Sequence, residues 1–267
     1  MTPGVSVCFV IRNGILNGYP FWESLESCLP FADEIVISEG YSDDDTYEII
    51  TNFKNQHPDK VKVYRSRWGK STAGEMIEIK STEAMQKCTR EWIYYLQADE
   101  VIHEDNHSFI RDVANGQYGD MNSVSFNFNH FIGSWTPLPL GTAAYATAIR
   151  MVRNIKSIKL MGDAWTFIGS CHPSVPLNMV PKPIYHFAWV FPKNMTEKQI
   201  SHANLYTGMQ AYQNQAALAV EVKRTGHDNK AGLPATDYDD YPKGIKRLVG
   251  KFEYELPERA KSSSILG

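Results

Sequence analysis

The sequence predicts an α/β fold with a mostly parallel central sheet flanked by helices. Three observations carry that prediction. Short apolar, β-branched runs alternate with helix-patterned segments in the order β-α-β-α-β-α-β over about the first hundred residues, and such alternation builds parallel sheets with helices on both faces. Three of those runs end in polar clusters, at the strand ends where sheets of this kind bind ligands. Apolar residues make up 43% and charged residues 21% of the 267-residue chain, enough to bury a core in a globular protein.

The elements follow from local pattern. Val5 to Ile11 is a compact β-branched run that stops at Arg12-Asn13-Gly14, a strand meeting a turn. Phe21 to Leu29 has helical spacing, with Phe21, Leu25 and Cys28 on one face and Pro30 after it. Glu34 to Ser38 is a second buried strand, and Thr46 to Gln56 an amphipathic helix with Tyr47, Ile50 and Phe53 on one side. Val61 to Tyr64 is a third strand, Ala73 to Cys88 a long helix, and Trp92 to Leu96 a fourth strand. Beyond Asn106 the pattern changes: Ser123 to Phe128, Ala146 to Val152 and Ile184 to Val190 are strand candidates. Gly133 to Thr142 and Asn154 to Pro183 have the composition of binding loops. Thr196 to Gln215 has helical spacing behind Thr196 as N-cap, and Lys261 to Gly267 reads as a frayed tail.

Charge and cysteine usage exclude some classes. A net charge of -3 argues against a generally basic nucleic-acid binder. The four cysteines, Cys8, Cys28, Cys88 and Cys171, form no CxxC pair, so no zinc signature is present and buried thiols are expected. No apolar run approaches the ~20 residues of a membrane span, and the N-terminus lacks a basic-then-apolar leader, so the expected location is cytoplasmic.

The strand ends are where chemistry is expected. Trp92 to Leu96 runs straight into Gln97-Ala98-Asp99-Glu100, and charges beside a core are costly without partners. Asp99 can hold a divalent cation through its carboxylate; equally, Asp99 can cap the following turn with Glu100 in solvent. In Glu39-Gly-Tyr-Ser-Asp-Asp-Asp-Thr46, Ser42 and Asp44 are candidate caps for the next helix. Glu39 ends a strand before any helix, free to accept hydrogen bonds from a base or ribose.

Taken together, Ser6-Val-Cys-Phe-Val-Ile-Arg-Asn13, Asp33-Glu-Ile-Val-Ile-Ser-Glu-Gly-Tyr-Ser-Asp-Asp-Asp-Thr46 and Glu91-Trp-Ile-Tyr-Tyr-Leu-Gln-Ala-Asp-Glu100 closely resemble the family 2 glycosyltransferases of the GT-A fold. Those enzymes carry an Asn-containing turn after the first strand, a strand ending Asp-Gly-Gly-Ser-x-Asp-Gly-Thr, and a Gly-(Asp/Glu)-Trp segment leading to Asp-Ala-Asp-Glu. The likeness covers about residues 4 to 106. It implies a nucleotide-sugar-binding half over 1–106 and an acceptor-binding half with C-terminal helices over 107–267, both in one GT-A domain.

By the same resemblance Glu39 reads the nucleotide base, with Ile11 and Arg12 bordering it. Lys80 takes a donor-facing position whose alternative is a solvated helix lysine. Gln97 and Ala98 stand in the diphosphate motif, and Asp99 ligates Mn²⁺ or Mg²⁺. Gln97 departs from the family's Asp: an amide can bind a ribose hydroxyl or a metal-bound water but brings no charge, so metal affinity is expected to be lower. Ala148-Ile-Arg-Met-Val-Arg153 resembles a strand of bacterial relatives. Ile184-Tyr-His-Phe-Ala-Trp-Val190 resembles a late strand whose His, here His186, completes the metal site. An inverting transfer needs a general base, for which the family uses an acid between those strands. Asp163 is the single acid from Asn154 to Pro183, with His172 a weaker competitor. Trp135, Trp165 and His130 are candidates for an acceptor platform, with core packing as the alternative for each.

The implied activity is transfer of a sugar from a nucleotide-diphosphate donor to a glycan or other hydroxyl acceptor. Two alternatives stay open: a non-catalytic sugar-nucleotide binder, suggested by Gln97, and a phage-type DNA-base glycosyltransferase. The latter would use Lys223, Arg224, Lys243, Lys246, Arg247 and Lys251 on phosphate, or those charges form a solvated surface. A nucleotidyltransferase would need a Gly-rich basic loop that Arg12-Asn-Gly-Ile-Leu-Asn-Gly18 does not provide.

Overall fold

The computed structural model describes residues 1–69, 73–132, 135, 137, 145–162, 166–169, 174–190, 238–251 and 253–261. The expected helix Thr196–Gln215, and Asp163, Trp165, His172, Cys171, Lys223 and Arg224, lie outside the described residues.

Strands β1 (Thr2–Ile11), β2 (Glu34–Glu39), β3 (Val61–Arg65) and β4 (Arg90–Gln97) alternate with helices α1 (Phe21–Cys28), α2 (Thr46–Gln56) and α3 (Ala73–Met85). Their order in the sheet is β3-β2-β1-β4, all parallel. Strands β1, β2 and β4 are buried on both faces over most of their length, which is why they are largely apolar, while the edge strand β3 buries Val61 and exposes Lys62, Tyr64 and Arg65. Alternate residues divide the core. Val5, Val7, Phe9 and Ile11 pack with Ile35, Ile37, Trp92, Tyr94 and Leu96 against α1 and α2, while Cys8, Val36, Ile93 and Tyr95 join Ala84 and Met85 of α3. Cys8, Cys28 and Cys88 are buried free thiols.

After β4 the chain makes β5 (Glu100–Ile102), α4 (Asn106–Ala114), β6 (Ser123–Ile132), β7 (Thr147–Arg153), β8 (Lys159–Met161), β9 (Thr166–Ile168), β10 (Ser174–Val175) and β11 (Ile184–Trp189). The sheet continues β4-β7-β6-β11-β5, with β10 on β6; β4–β7, β7–β6 and β11–β5 are antiparallel, and β6–β11 is parallel. Strand β5 and helix α4 were not expected from sequence. The helix buries only Phe109, Ile110 and Val113 among its apolar positions, too short a stripe to stand out beside the acidic run before it. The expected loop 154–183 contains the β8–β9 hairpin, strand β10 and a 3-10 turn at Leu177–Met179.

The far C-terminal residues clamp onto α1. Glu23 is fully buried and accepts hydrogen bonds from Arg247 Nη2 and from Tyr254 Oη, the latter at 2.9 Å. Burial pushes the Glu23 pKa up to about 6, against the lowering effect of Arg247. A carboxyl raised in the folded state stabilises most below its ordinary range, and that contribution is lost as pH rises through about 6. Thermal unfolding of the wild type should therefore lose about 2 kcal/mol between pH ~4.5 and 7 relative to Glu23→Gln. A pH-independent difference between the two proteins would exclude the effect.

Candidate active site

The carboxyl ends of β1, β2 and β4 lie level, because Ile11 pairs with Glu39 and Val10 with Gln97. The loops leaving β1 and β2 are laced together. Asn13 N–H donates to Ser42 Oγ at 2.8 Å, Asp43 N–H to Asn13 Oδ1 at 2.8 Å, and Leu16 N–H to Asp44 Oδ2 at 2.8 Å. Gly14 N–H donates to Thr46 Oγ1 at 2.8 Å. Asp44, one residue before the N-cap Asp45, also accepts from Thr46 N–H at the start of α2 at 3.0 Å, whereas Ser42 serves the β1 turn instead. The acidic run is therefore a clasp between two loops as well as a helix start.

Two non-glycine residues hold positive φ at these exits, Asn13 at 55° and Tyr41 at 58°. Asn tolerates this region, but for Tyr it costs about 1–3 kcal/mol. Arg65 and Arg67 lie over the Tyr41 ring at 4.0 and 4.3 Å, and Arg65 also over Tyr47 at 4.0 Å, contacts that hold the ring in place. Gly40 is required by close approach, since a Cβ there would fall 2.4 Å from Trp68 Nε1. Glu39 is fully buried, with Oε1 accepting from Ser42 N–H at 2.6 Å and Oε2 from Arg65 Nε at 2.7 Å. Sequence places it free at a strand end; the structure gives both its oxygens an internal task, fixing the loop that carries Tyr41. Ile11 is buried, and its carbonyl accepts from Gly40 N–H at 2.8 Å. Arg12 is half-exposed and pairs with Asp43 at 3.1 Å.

The β4 exit explains its polar residues. Ser24 Oγ donates to the Gln97 carbonyl at 3.0 Å, and Phe187 N–H of β11 donates to the Asp99 carbonyl at 2.7 Å, so the turn Ala98–Asp99 is pinned from two sides. Glu100 is not solvated, as one sequence alternative had it. It is fully buried against the fully buried Arg150 of β7, with Arg150 Nη2 to Glu100 Oε1 at 2.7 Å and Nε to both oxygens at 3.1 Å. Burial works against the Arg150 charge, and the Glu100 carboxylate more than offsets it, holding the guanidinium above its ordinary range. Gln97 Oε1 stands 3.5 Å from Arg150 Nη2. Sequence marks Arg150 only through the likeness of Ala148–Arg153 to a strand of bacterial relatives, and its place in an apolar strand hints that a partner is needed without naming Glu100.

Asp99 and His186 meet at this corner. Their side chains are 14% and 16% exposed, and Asp99 Oδ2 lies 3.6 Å from His186 Nε2. His186 Nδ1 lies 2.8 Å from His130 Nδ1, and His130 Nε2 lies 2.8 Å from the Tyr145 carbonyl. His130 is buried and stacked on Phe128, and burial pushes its pKa down to about 3. A carboxylate and an imidazole within one ion's reach, at a strand exit expected to face phosphates, fit a divalent cation that takes its other ligands from substrate and water. Among the described residues no group of three or more His, Cys, Asp or Glu side chains is arranged to hold a metal, so any ion here would depend on such outside ligands.

The other expected residues lie apart from this corner. Lys80 Nζ is committed to Ser66 Oγ at 2.9 Å and to Glu83 at 3.0 Å. Trp135 is buried among Phe187 and Tyr241, its Nε1 donating to the Lys251 carbonyl at 2.8 Å. Lys243, Lys246, Arg247 and Lys251 each pair with an acid: Glu104, Asp239, Glu23 and Glu255 respectively. No helix among the described residues is long and apolar enough to cross a membrane.

A parallel nucleotide-type sheet, running into an antiparallel half with an acid-and-histidine corner between them, defines a GT-A architecture. Residues 20–108 match the family described as glycosyl transferase family 2. No curated protein matches it. Among solved structures, S. aureus TarS 1–349 aligns at 14% identity over 87% of this chain and 74% of that one, with a TM-score of 0.45. TarS 1–349 in complex with UDP-GlcNAc aligns at 14% identity over 82% and 72%, again at 0.45. The mannosyltransferase PcManGT of Pyrobaculum calidifontis, in complex with GDP-Man and Mn²⁺, aligns at 12% identity over 85% and 77%, at 0.42. Likeness this distant says nothing of this chain's donor, acceptor or metal.

Proposed function

We propose that the protein transfers a sugar from a nucleotide-diphosphate donor to an acceptor hydroxyl with inversion, assisted by Mn²⁺ or Mg²⁺ held by Asp99 and His186. The observation that carries the proposal is the meeting of those two side chains at the β4 exit, in a chain whose residues 20–108 are of family 2 type. The ion, when bound, would offset the charge that develops on the leaving diphosphate. An imidazole ligand suits Mn²⁺ better than Mg²⁺, which prefers oxygen alone.

The chain's own residues would do the rest. Ile11, Arg12 and Glu39 set the base and ribose side of the pocket, Glu39 by holding Tyr41 and Arg65 in place. Gln97 and Ala98 border the diphosphate, while Lys80, expected from sequence to face the donor, is taken up by Glu83 and Ser66. Asp163 takes the acceptor's proton as its oxygen attacks the anomeric carbon, and the bond from that carbon to the diphosphate breaks. One displacement of this kind inverts the anomeric centre.

A screen of donor hydrolysis across UDP-, GDP- and dTDP-sugars, with and without Mn²⁺, tests the proposal. Metal-stimulated sugar release from one donor class is expected. Nucleotide binding without turnover, with any acceptor supplied, would favour the non-catalytic binder. Asp99→Ala should weaken Mn²⁺-dependent nucleotide binding, read by calorimetry, at least as much as the ~10–100-fold typical of losing a residue that supports a metal ligand. EDTA should reproduce the variant's behaviour, and full wild-type activity in EDTA would remove the metal.

A further inference from the structure

The Tyr145 carbonyl can only accept a hydrogen bond, so the 2.8 Å contact from His130 Nε2 places a proton on that nitrogen. A neutral imidazole then has a lone pair at its other nitrogen. His130 Nδ1 faces His186 Nδ1 at 2.8 Å, and one proton must lie between them. His130 cannot supply it while neutral, and its site is 6% exposed and stacked on Phe128, whose ring also carries the Arg150 guanidinium 4.9 Å from its centroid. That setting disfavours a second positive charge.

We infer that His130 is a positioning residue that holds His186 in the Nδ1–H tautomer, so that the His186 Nε2 lone pair faces Asp99. The strands enforce the arrangement, because His130 and His186 are register partners on β6 and β11. The consequence at the corner is physical. His186 Nε2 and Asp99 Oδ2, 3.6 Å apart, are then both acceptors, and two acceptors facing each other are relieved by a cation between them. Without His130 the ring is free to carry its proton on Nε2 and donate it to Asp99, closing the corner on itself. The inference deepens the metal reading above and rests on it only for what the lone pair serves; the tautomer is a property of the metal-free chain. Sequence alone makes His130 a candidate for an acceptor platform; the structure puts it behind His186.

The test has two readouts on the full-length protein. ¹⁵N NMR of the histidine ring nitrogens at pH 8, without metal, should show His186 protonated at Nδ1 and bare at Nε2. In His130→Phe the protonated nitrogen should switch, while His130→Asn, which keeps an acceptor near the Nδ1 position, should preserve the wild-type tautomer. Titration with Mn²⁺ alone, followed by the free-ion EPR signal, should show binding weakened ~10–100-fold in His130→Phe and close to wild type in His130→Asn. A wild-type His186 protonated at Nε2 or at both nitrogens overturns the inference, as does an unchanged tautomer in folded His130→Phe. A wild type with the stated tautomer that binds no Mn²⁺ supports the inference and fails the metal reading instead.

Discussion

Glu100→Ala is expected to destabilise the fold by about 3–5 kcal/mol, because it strands the Arg150 guanidinium in the core. Both side chains are fully buried, and three nitrogen–oxygen contacts of 2.7 to 3.1 Å join them. The attraction between them repays the cost of taking two charges out of water; deleting the carboxylate leaves the buried guanidinium without its counter-charge, held by neutral contacts such as the Ile149 carbonyl at 3.2 Å. Glu100 Oε2 also accepts from Gln97 N–H at 3.3 Å, so the turn bearing Asp99 should loosen as well. Replacing both members, as Glu100→Leu with Arg150→Met, should recover most of the loss, since an apolar pair needs no compensation. Denaturant unfolding of the two single variants and the double variant measures this coupling. A Glu100→Ala protein within ~1 kcal/mol of wild type, the range of an exposed pair, would mean that water reaches Arg150.

Asp163→Asn is expected to lower turnover by ~10²–10⁴-fold, the usual contribution of a general base, with donor affinity nearly unchanged. The substitution keeps size and hydrogen-bonding reach but cannot take a proton at neutral pH. An interaction made only in the transition state shows itself in kcat rather than in ground-state binding. Asp163 lies in the connection 162–165 between β8 and β9, whose strands are antiparallel partners. Gly162 at its start donates to Glu78 of α3 at 2.8 Å. Steady-state kinetics with the donor found by the screen, alongside calorimetry of the nucleotide, would decide the matter. Near wild-type turnover, or lost nucleotide binding, would show the assignment to be wrong. His172 would then be tested next, since Glu100 is occupied by Arg150.

The first hundred residues were legible because their information is local. Two-residue alternation divides Val7 and Phe9 from Cys8, and Asp44 with Thr46 marks the start of α2 within three residues of chain. Strand β5 was not legible: its three residues follow a polar turn, and its partner β11 lies far along the sequence. The candidate site divides the same way. Asp99 stood out through its motif and His186 through the strand carrying it. Arg150 and the role of His130 depend on which strand neighbours which, a tertiary fact that no run of residues states. Glu39 was found, but its burial, and with it the work of Tyr41 and Arg65, could not be read from a strand end.

Strands β4 and β5 are joined by Ala98 and Asp99 alone, yet three other strands stand between them in the sheet. For a chain emerging from the ribosome, this sets an order of events. The parallel layer β3-β2-β1-β4 can assemble as soon as its own residues are made, in the N-terminal-first manner usual for growing chains. Glu100 must then wait for Arg150, and β5 must wait for β11 to arrive with His186. Closing so distant a pairing is slow. The corner holding Asp99 is thus among the last parts to form, and the nascent parallel layer exists for a time before His186, which meets Asp99 there, has been synthesised.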